Sequence, residues 1–278
     1  MTTVNLAKYF GRVGLRDLQP PYTADRDTLK RVMEAQSKSI AFENIDVVQK
    51  KSISMDLEDV QKKLVEDVRG GYCFEQNTLL KAVLEEMGYS VEPSLCRVRW
   101  GKQDDSAGPN TTFTHLVLKV FTKDGIFLAD VGFAGTNSIE PVRMDIGGEN
   151  QELPEGRFRI VPSKHKGFFV LELLVKGEWR PLYEWRDEKA PLVDQECCNW
   201  FSCTNPKGRF TSQFFVCKII GEERHHILND QYVIRKGFGA NSQVTTDTIS
   251  DKARLETLVS DVFGIKLEDT SGIDRFLS

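Results

Sequence analysis

Arg69-Gly70-Gly71-Tyr72-Cys73-Phe74-Glu75-Gln76-Asn77 sets a cysteine where a glycine turn runs into a helix. Glycines let the backbone turn sharply, and the free N–H groups of a helix start stabilise negative charge, so both favour thiolate over thiol at Cys73. Cysteine is also among the most buried residue types, and a lone one commonly only packs. The residues that follow separate the two readings. Leu79, Leu80, Val83, Leu84 and Met87 recur at helical spacing and Gly88 ends the run as a C-cap. The spacing predicts a helix that opens at Cys73, with a nucleophile in its first turn.

Such a nucleophile needs a base, and the base needs a group to orient it. The chain has four histidines. His115 lies in Phe113-Thr114-His115-Leu116-Val117-Leu118-Lys119-Val120-Phe121, which reads as a strand. Lys123-Asp124-Gly125 is a hairpin signal, and residues 126–131 return carrying Asp130. Cys73, His115 and Asp130 are therefore the candidate triad. His165, in Ser163-Lys164-His165-Lys166-Gly167, and His225 and His226, after Glu222-Glu223-Arg224, read as surface residues. The triad carries a geometric condition. A two-residue hairpin centred on Asp124-Gly125 pairs Asp130 with Lys119, about 13 Å along the strand from His115. Residues 115 and 119 share a face, but that span is too long for a hydrogen bond. The sheet must be bulged or strongly curved, or the strands paired in a shifted register.

Outward from this centre the periodicity changes twice. Residues 1–88 read as helices: Asp27 or Thr28 caps a segment whose Leu29, Val32, Met33 and Gln36 share a face, and Leu57, Val60, Leu64 and Val68 line another. From Val91 to about Trp200 the signal is short strands, at 126–131, 157–161 and 168–175, separated by Gly, Pro, Asn and Asp. The tail mixes strands at 214–220 and 231–235 with an amphipathic helix through Leu255, Leu258, Val259 and Phe263. A chain of 278 residues has room for two or more domains.

Composition removes several classes of function. No apolar run approaches the ~20 residues of a membrane span, and Met1-Thr2-Thr3-Val4-Asn5 lacks the basic and apolar regions of a secretory signal. A cytoplasmic location is expected. The net charge of −4 comes from interspersed signs, without a basic stripe carrying aromatics, which argues against nucleic-acid binding. Cys73, Cys96, Cys197, Cys198, Cys203 and Cys217 form no paired CxxC pattern, and adjacent Cys197-Cys198 suits a disulfide poorly, so neither staples nor a metal is expected.

The motif at 69–77, Thr114-His115-Leu116 and Asp130-Val131-Gly132-Phe133, with their spacing, resemble the arylamine N-acetyltransferases. Tyr9-Phe10-Gly11-Arg12-Val13-Gly14, Phe42-Glu43-Asn44, and Asn199-Trp200-Phe201 with Pro206 and Phe210 extend the resemblance over most of the chain; beyond about residue 215 it is weak. The resemblance implies an α+β multidomain fold: an N-terminal helical bundle (1–88) carrying the nucleophile, a central antiparallel β-barrel (89–200) carrying His and Asp, and a C-terminal α/β lid (201–278). Its core is a cysteine-protease-like Cys-His-Asp arrangement. It implies ping-pong N-acetylation of arylamines and arylhydrazines through an acetyl-cysteine, with acetyl-CoA as acyl-donor cosubstrate and no metal, in xenobiotic metabolism. Carried over residue by residue, Thr111, Thr112, Gly132, Phe133 and Gly135 stand at coenzyme contacts. Phe42, Phe133 and Phe210 stand at acceptor-pocket positions, and Glu43 and Arg69 look like an ion pair beneath the site.

Two departures stand out. Thr204-Asn205 precedes Pro206 where many members have a small residue and a histidine, and Ala134 replaces a common glycine. Three other classes remain open. A papain-like protease usually carries a Cys-Gly-Ser-Cys-Trp signature, which Gly-Gly-Tyr-Cys-Phe does not match. A transglutaminase-like enzyme would take its acyl group from glutamine side chains. A non-catalytic relative would bind coenzyme without needing an activated thiol.

Overall fold

The computed structural model describes residues 3–101, 111–136, 138–145, 147–237 and 242–277. Of the Met1-to-Asn5 stretch, Met1 and Thr2 lie outside them. The N-terminal region is helical because each segment has both a cap and an apolar stripe. Helix α1 (Leu6–Val13) is capped by the Asn5 side chain, which accepts from Lys8 N–H. Helix α2 (Arg26–Ser39) buries the expected face of Leu29, Val32, Met33 and Gln36. Its cap is Asp25 rather than Asp27 or Thr28: the Asp25 carboxylate accepts from Thr28 N–H at 2.9 Å, and Asp27 stays in the first turn, where negative charge is still favourable. Strand β1 (Phe42–Glu43), α3 (Ile45–Val48) and α4 (Leu57–Gln61) follow. The periodic run through Leu64 continues α4 as a π-helical turn, Lys62–Glu66, and ends at Val68, whose φ of 55° is left-handed. Helix α5 (Cys73–Glu86) starts at the cysteine and is followed by Gly88 at φ 92°.

Eight antiparallel strands come next: β2 (Ser90–Val98), β3 (Phe113–Thr122), β4 (Gly125–Ala129), β5 (Val142–Arg143), β6 (Gln151–Leu153), β7 (Gly156–Pro162), β8 (Phe169–Val175) and β9 (Glu178–Trp185). Their order, β5-β4-β3-β2-β9-β8-β7-β6, curls into a nearly closed barrel. At the seam a side-chain amide does the work of a ladder: Gln151 Oε1 accepts from Arg143 N–H at 2.7 Å, and its Nε2 donates to Arg143 O at 2.8 Å. Helices α6 (Leu192–Thr204) and α7 (Arg209–Ser212) lead into β10 (Phe215–Ile220), β11 (Glu223–Leu228), β12 (Gln231–Lys236) and β13 (Gln243–Thr248). These form a second sheet whose edge is β1, with Phe42 opposite Cys217. Helix α8 (Lys252–Thr257) and the π-helical turn Leu258–Val262 supply Leu255, Leu258 and Val259 to the core beneath it. Among the described residues no helix is long and apolar enough to cross a membrane.

Strand β3 is shared between cores. Leu118 and Val120 pack against the helices with Leu80, Val83 and Leu84, whereas Val117 points into the barrel with Phe158, Leu171 and Trp185. A smaller cluster of Phe42, Tyr72, Cys73, Phe74, Leu116, Phe215 and Cys217 lies where helices, barrel and second sheet meet. Beneath it is a knot of buried charge. Arg69 Nη2 is 2.8 Å from Glu43 Oε1 and 3.1 Å from Asp46 Oδ1, and Lys63 Nζ is 2.6 Å from both Asp46 and Glu75. The Glu43 carboxylate is inaccessible to solvent, so deleting its partner strands a buried charge. Arg69→Ala is expected to cost about 3–5 kcal/mol and lower Tm by roughly 6–15 °C. Calorimetry returning the wild-type Tm would refute that role.

Candidate active site

The glycines before Cys73 act by close approach. Neither Gly70 nor Gly71 has a left-handed φ. A Cβ on Gly70 would lie 2.3 Å from Ala41 O, and one on Gly71 2.8 Å from Glu75 Oε2. Bare backbone lets this segment bond to the chain entering β1, with Gly71 N–H donating to Ala41 O at 3.2 Å and Glu43 N–H to Gly71 O at 3.1 Å. Glu75 then accepts from Tyr72 N–H at 3.0 Å, the half of a capping box that fixes the helix start. Cys73 is buried, and its Sγ is 3.6 Å from Thr114 O.

The sheet meets the geometric condition by register and by a bulge. Thr122 pairs with Gly125, so the hairpin turns on Lys123-Asp124, one residue before Asp124-Gly125. Leu118 pairs with Ala129, which brings Asp130 level with Val117 instead of Lys119. The turn is pinned by helix α2: Asp124 Oδ2 accepts from Arg26 N–H at 2.9 Å and Lys123 N–H donates to Ala24 O at 3.1 Å. On the other side of β3, Cys96 pairs with His115 but Arg97 with Phe113, leaving Thr114 as the extra residue, its carbonyl turned to the thiol. His115 Nε2 is 2.7 Å from Asp130 Oδ2.

The electrostatics of the pair follow from where it sits. Burial opposes charge on His115, but the Asp130 carboxylate and hydrogen bonds to Asp130 and Cys73 outweigh it and raise its pKa to about 10. With Nε2 taken by Asp130, Nδ1 is the ring nitrogen left to the Cys73 sulfur. Burial also pushes Asp130 up, yet His115, Asn77 and Gly132 N–H hold it below the usual carboxylate range. Asn77 Nδ2 donates to Leu116 O at 2.7 Å and to Asp130 Oδ1 at 3.0 Å, Asn77 Oδ1 accepts from Val131 N–H at 3.1 Å, and Gly132 N–H donates to Asp130 Oδ1 at 2.8 Å. The Tyr183 hydroxyl also hydrogen-bonds Asp130.

The remaining candidates divide around the thiol. Phe42 and Phe210 pair at 6.0 Å in the Cys73 cluster, while Phe133 lies edge-on to His115 at 5.1 Å and belongs to the barrel core. Gly132 turns toward the protein: a Cβ there would be 2.6 Å from Cys73 Cα. Gly135 is left-handed at φ 88°. Thr112 is exposed; Thr111 accepts from Arg97 through its carbonyl, and its buried hydroxyl has no partner among the described residues. The surface reading of the other histidines does not hold. His225 is buried with Nδ1 2.6 Å from the Tyr232 hydroxyl, because β11 turns it inward; His226 is half-buried; His165 Nδ1 is 2.9 Å from both oxygens of buried Glu184. All six cysteines are free, and among the described residues no group of three ligands could hold a metal ion.

Asn77, Tyr183 and the Thr114 carbonyl escaped the sequence reading. Asn77 had a signal, lying four residues after Cys73 on the same helix face. Tyr183, brought in by β9, and the bulge at Thr114 had none.

Because the folded pKa of His115 exceeds its unfolded value of 6.5, its pairing adds full stability below about pH 6.5 and loses it as pH rises through about 10. NMR titration should find His115 protonated to about pH 10 in the native protein and, in Asp130→Asn, deprotonating at or below the ordinary imidazole value. A native midpoint near 6.5 would contradict the ion-pair geometry.

A family model described as N-acetyltransferase matches residues 25–272. The arylamine N-acetyltransferase of Mycolicibacterium smegmatis is 33% identical over 272 residues, spanning 98% of this chain and 95% of that protein. That of Escherichia coli (strain K12) is 28% identical over 243 residues, 87% of this chain and 83% of that protein. The solved M. smegmatis arylamine N-acetyl transferase superposes with a TM-score of 0.89 at 31% identity, covering 99% of this chain and 97% of that one. Mycobacterium marinum arylamine N-acetyltransferase in complex with CoA gives 0.88 at 28% identity, covering 99% and 100%.

Proposed function

We propose that this chain, which belongs to the arylamine N-acetyltransferase family and is an acyltransferase, moves an acetyl group from acetyl-CoA to the nitrogen of an arylamine or arylhydrazine by way of Cys73. The observation that carries this is His115, buried with Asp130 2.7 Å from its Nε2 and its remaining ring nitrogen left to the Cys73 sulfur. In the resting pair the Cys73 proton already sits on His115; the sulfur attacks the thioester carbonyl, and His115 then gives that proton to the departing coenzyme thiol, leaving acetyl-Cys73. In the second half-reaction His115 takes a proton from the attacking amine, and Cys73 leaves as the thiolate. Asp130 holds the ring orientation and balances the imidazolium. Free N–H groups in the first turn of α5 stabilise the oxyanion.

The residues fit the donor. Acetyl-CoA supplies the acyl group as a thioester, and the CoA-bound Mycobacterium marinum relative supports its use here. Thr111 offers a buried hydroxyl without a partner among the described residues, and Gly135 a backbone bare of side chain. Phe42, Phe210 and Phe133 give a flat arylamine apolar walls on both sides of the thiol. Residues 1–88 then carry the nucleophile, 89–200 its base and 201–278 the covering lid, and the reaction runs in the cytoplasm, where six free cysteines persist.

Intact-protein mass tests the reading directly. Wild type mixed with acetyl-CoA should gain one acetyl group, Cys73→Ala none, and the label should vanish when an arylamine or arylhydrazine is added. No adduct on a protein whose Cys73 still reacts with a thiol reagent would move the assignment to another acyl donor.

A further inference from the structure

We propose that Asn77 is a positioning residue that holds the Asp130 carboxylate in the plane His115 needs. The inference rests on the acyl-transfer reading only for its effect on turnover. Asn77 is fully buried, four residues along α5 from Cys73, so thiol and amide project from one helix face a turn apart. Its hydrogen bonds leave no freedom of orientation. Nδ2 faces two acceptors, Leu116 O and Asp130 Oδ1, and Oδ1 faces a donor, Val131 N–H. A flipped amide would set oxygen against oxygen twice and nitrogen against nitrogen once.

The amide binds the carboxylate oxygen that His115 does not use. Oδ1 takes Asn77 Nδ2 and Gly132 N–H, while Oδ2 remains for His115 Nε2. Two donors on one oxygen fix rotation about the carboxylate bond, which a single donor cannot do. The contacts then close a ring: Cys73 bonds His115, His115 bonds Asp130, Asp130 bonds Asn77, and one helical turn joins Asn77 to Cys73. A shift of α5 against the sheet therefore disturbs the thiol and the clamp together.

Asn77→Ala removes the amide, and Asn77→Asp keeps its size and the acceptor for Val131 N–H while losing the donor. Three readouts apply to both: the His115 protonation midpoint by NMR without substrate, steady-state kinetics against pH, and Tm. For a positioning residue the His115 midpoint in Asn77→Ala falls below the wild-type value, and in both variants kcat drops about 100-fold, with KM for acetyl-CoA within about twofold. In Asn77→Asp, activity should recover toward wild type as pH is lowered, when one of the two facing carboxyls holds a proton and again donates. In Asn77→Ala a midpoint that stays or rises, with the wild-type pH profile and only a lower Tm, would make Asn77 a packing residue and overturn the proposal. The midpoint is read without turnover. A wild type that forms no acetyl-Cys73 therefore sinks the reaction reading, and an unmoved midpoint sinks this one.

Discussion

The 2.7 Å contact between His115 and Asp130 sets the terms for everything around it, because two charges are held where solvent barely reaches. Desolvating each costs several kcal/mol, and their attraction offsets this only if the remaining lone pairs and protons are also satisfied. The fold supplies those partners from three separate places. Helix α5 contributes Asn77, the exit from β4 contributes Gly132 N–H, β9 contributes the Tyr183 hydroxyl, and, as a fourth contact from the β4 exit, Phe133 closes over the imidazole edge. A carboxylate so furnished stays charged, and a charged carboxylate keeps the imidazole protonated.

The other side of Cys73 meets a second set of buried charges, kept apart from the first by the helix start. Burial opposes charge on Lys63, but Glu75, Glu43 and Asp46 outweigh it and raise its pKa. Burial lifts Glu75, with Lys63 pulling the other way; at Asp46, Lys63 and Arg69 overcome burial and lower it. These groups tie β1, α3, the π-helical turn and α5 to one another. Their orientation is structural: Glu75 spends one oxygen on Lys63 and the other on Tyr72 N–H, so it fixes where Cys73 begins without touching the thiol. The chain thus separates holding the helix from charging the site.

What the sequence disclosed depended on whether a signal was local. The start of α5, its buried Leu79, Leu80, Val83 and Leu84, and its end at Gly88 follow from propensity and period within one segment. The residues meeting at the thiol were named from motif and resemblance. Tertiary contacts decided the rest. The α2 cap moved because Asp25 was free to accept from Thr28. His225 went inside because Tyr232, on the neighbouring strand, offers it a hydroxyl. Gly70 and Gly71 are needed for their missing Cβ atoms, which no single segment reveals until β1 is laid beside them.

The hairpin at Lys123-Asp124 shows how far such a decision reaches. A slip of one residue in strand pairing turns every side chain to the opposite face, whereas here the pairing differs by two from a turn centred on Asp124-Gly125 and parity survives. Gly125 permits this register: its φ of 137° suits glycine, and a Cβ would come within 3.0 Å of Asp145. Asp124, now the second turn residue, accepts from Arg26 N–H at the start of α2. The start of α2 therefore fixes the turn, the turn fixes the register, and the register brings Asp130 within reach of His115. A helix end at the β3–β4 turn thus decides whether the His115–Asp130 contact forms.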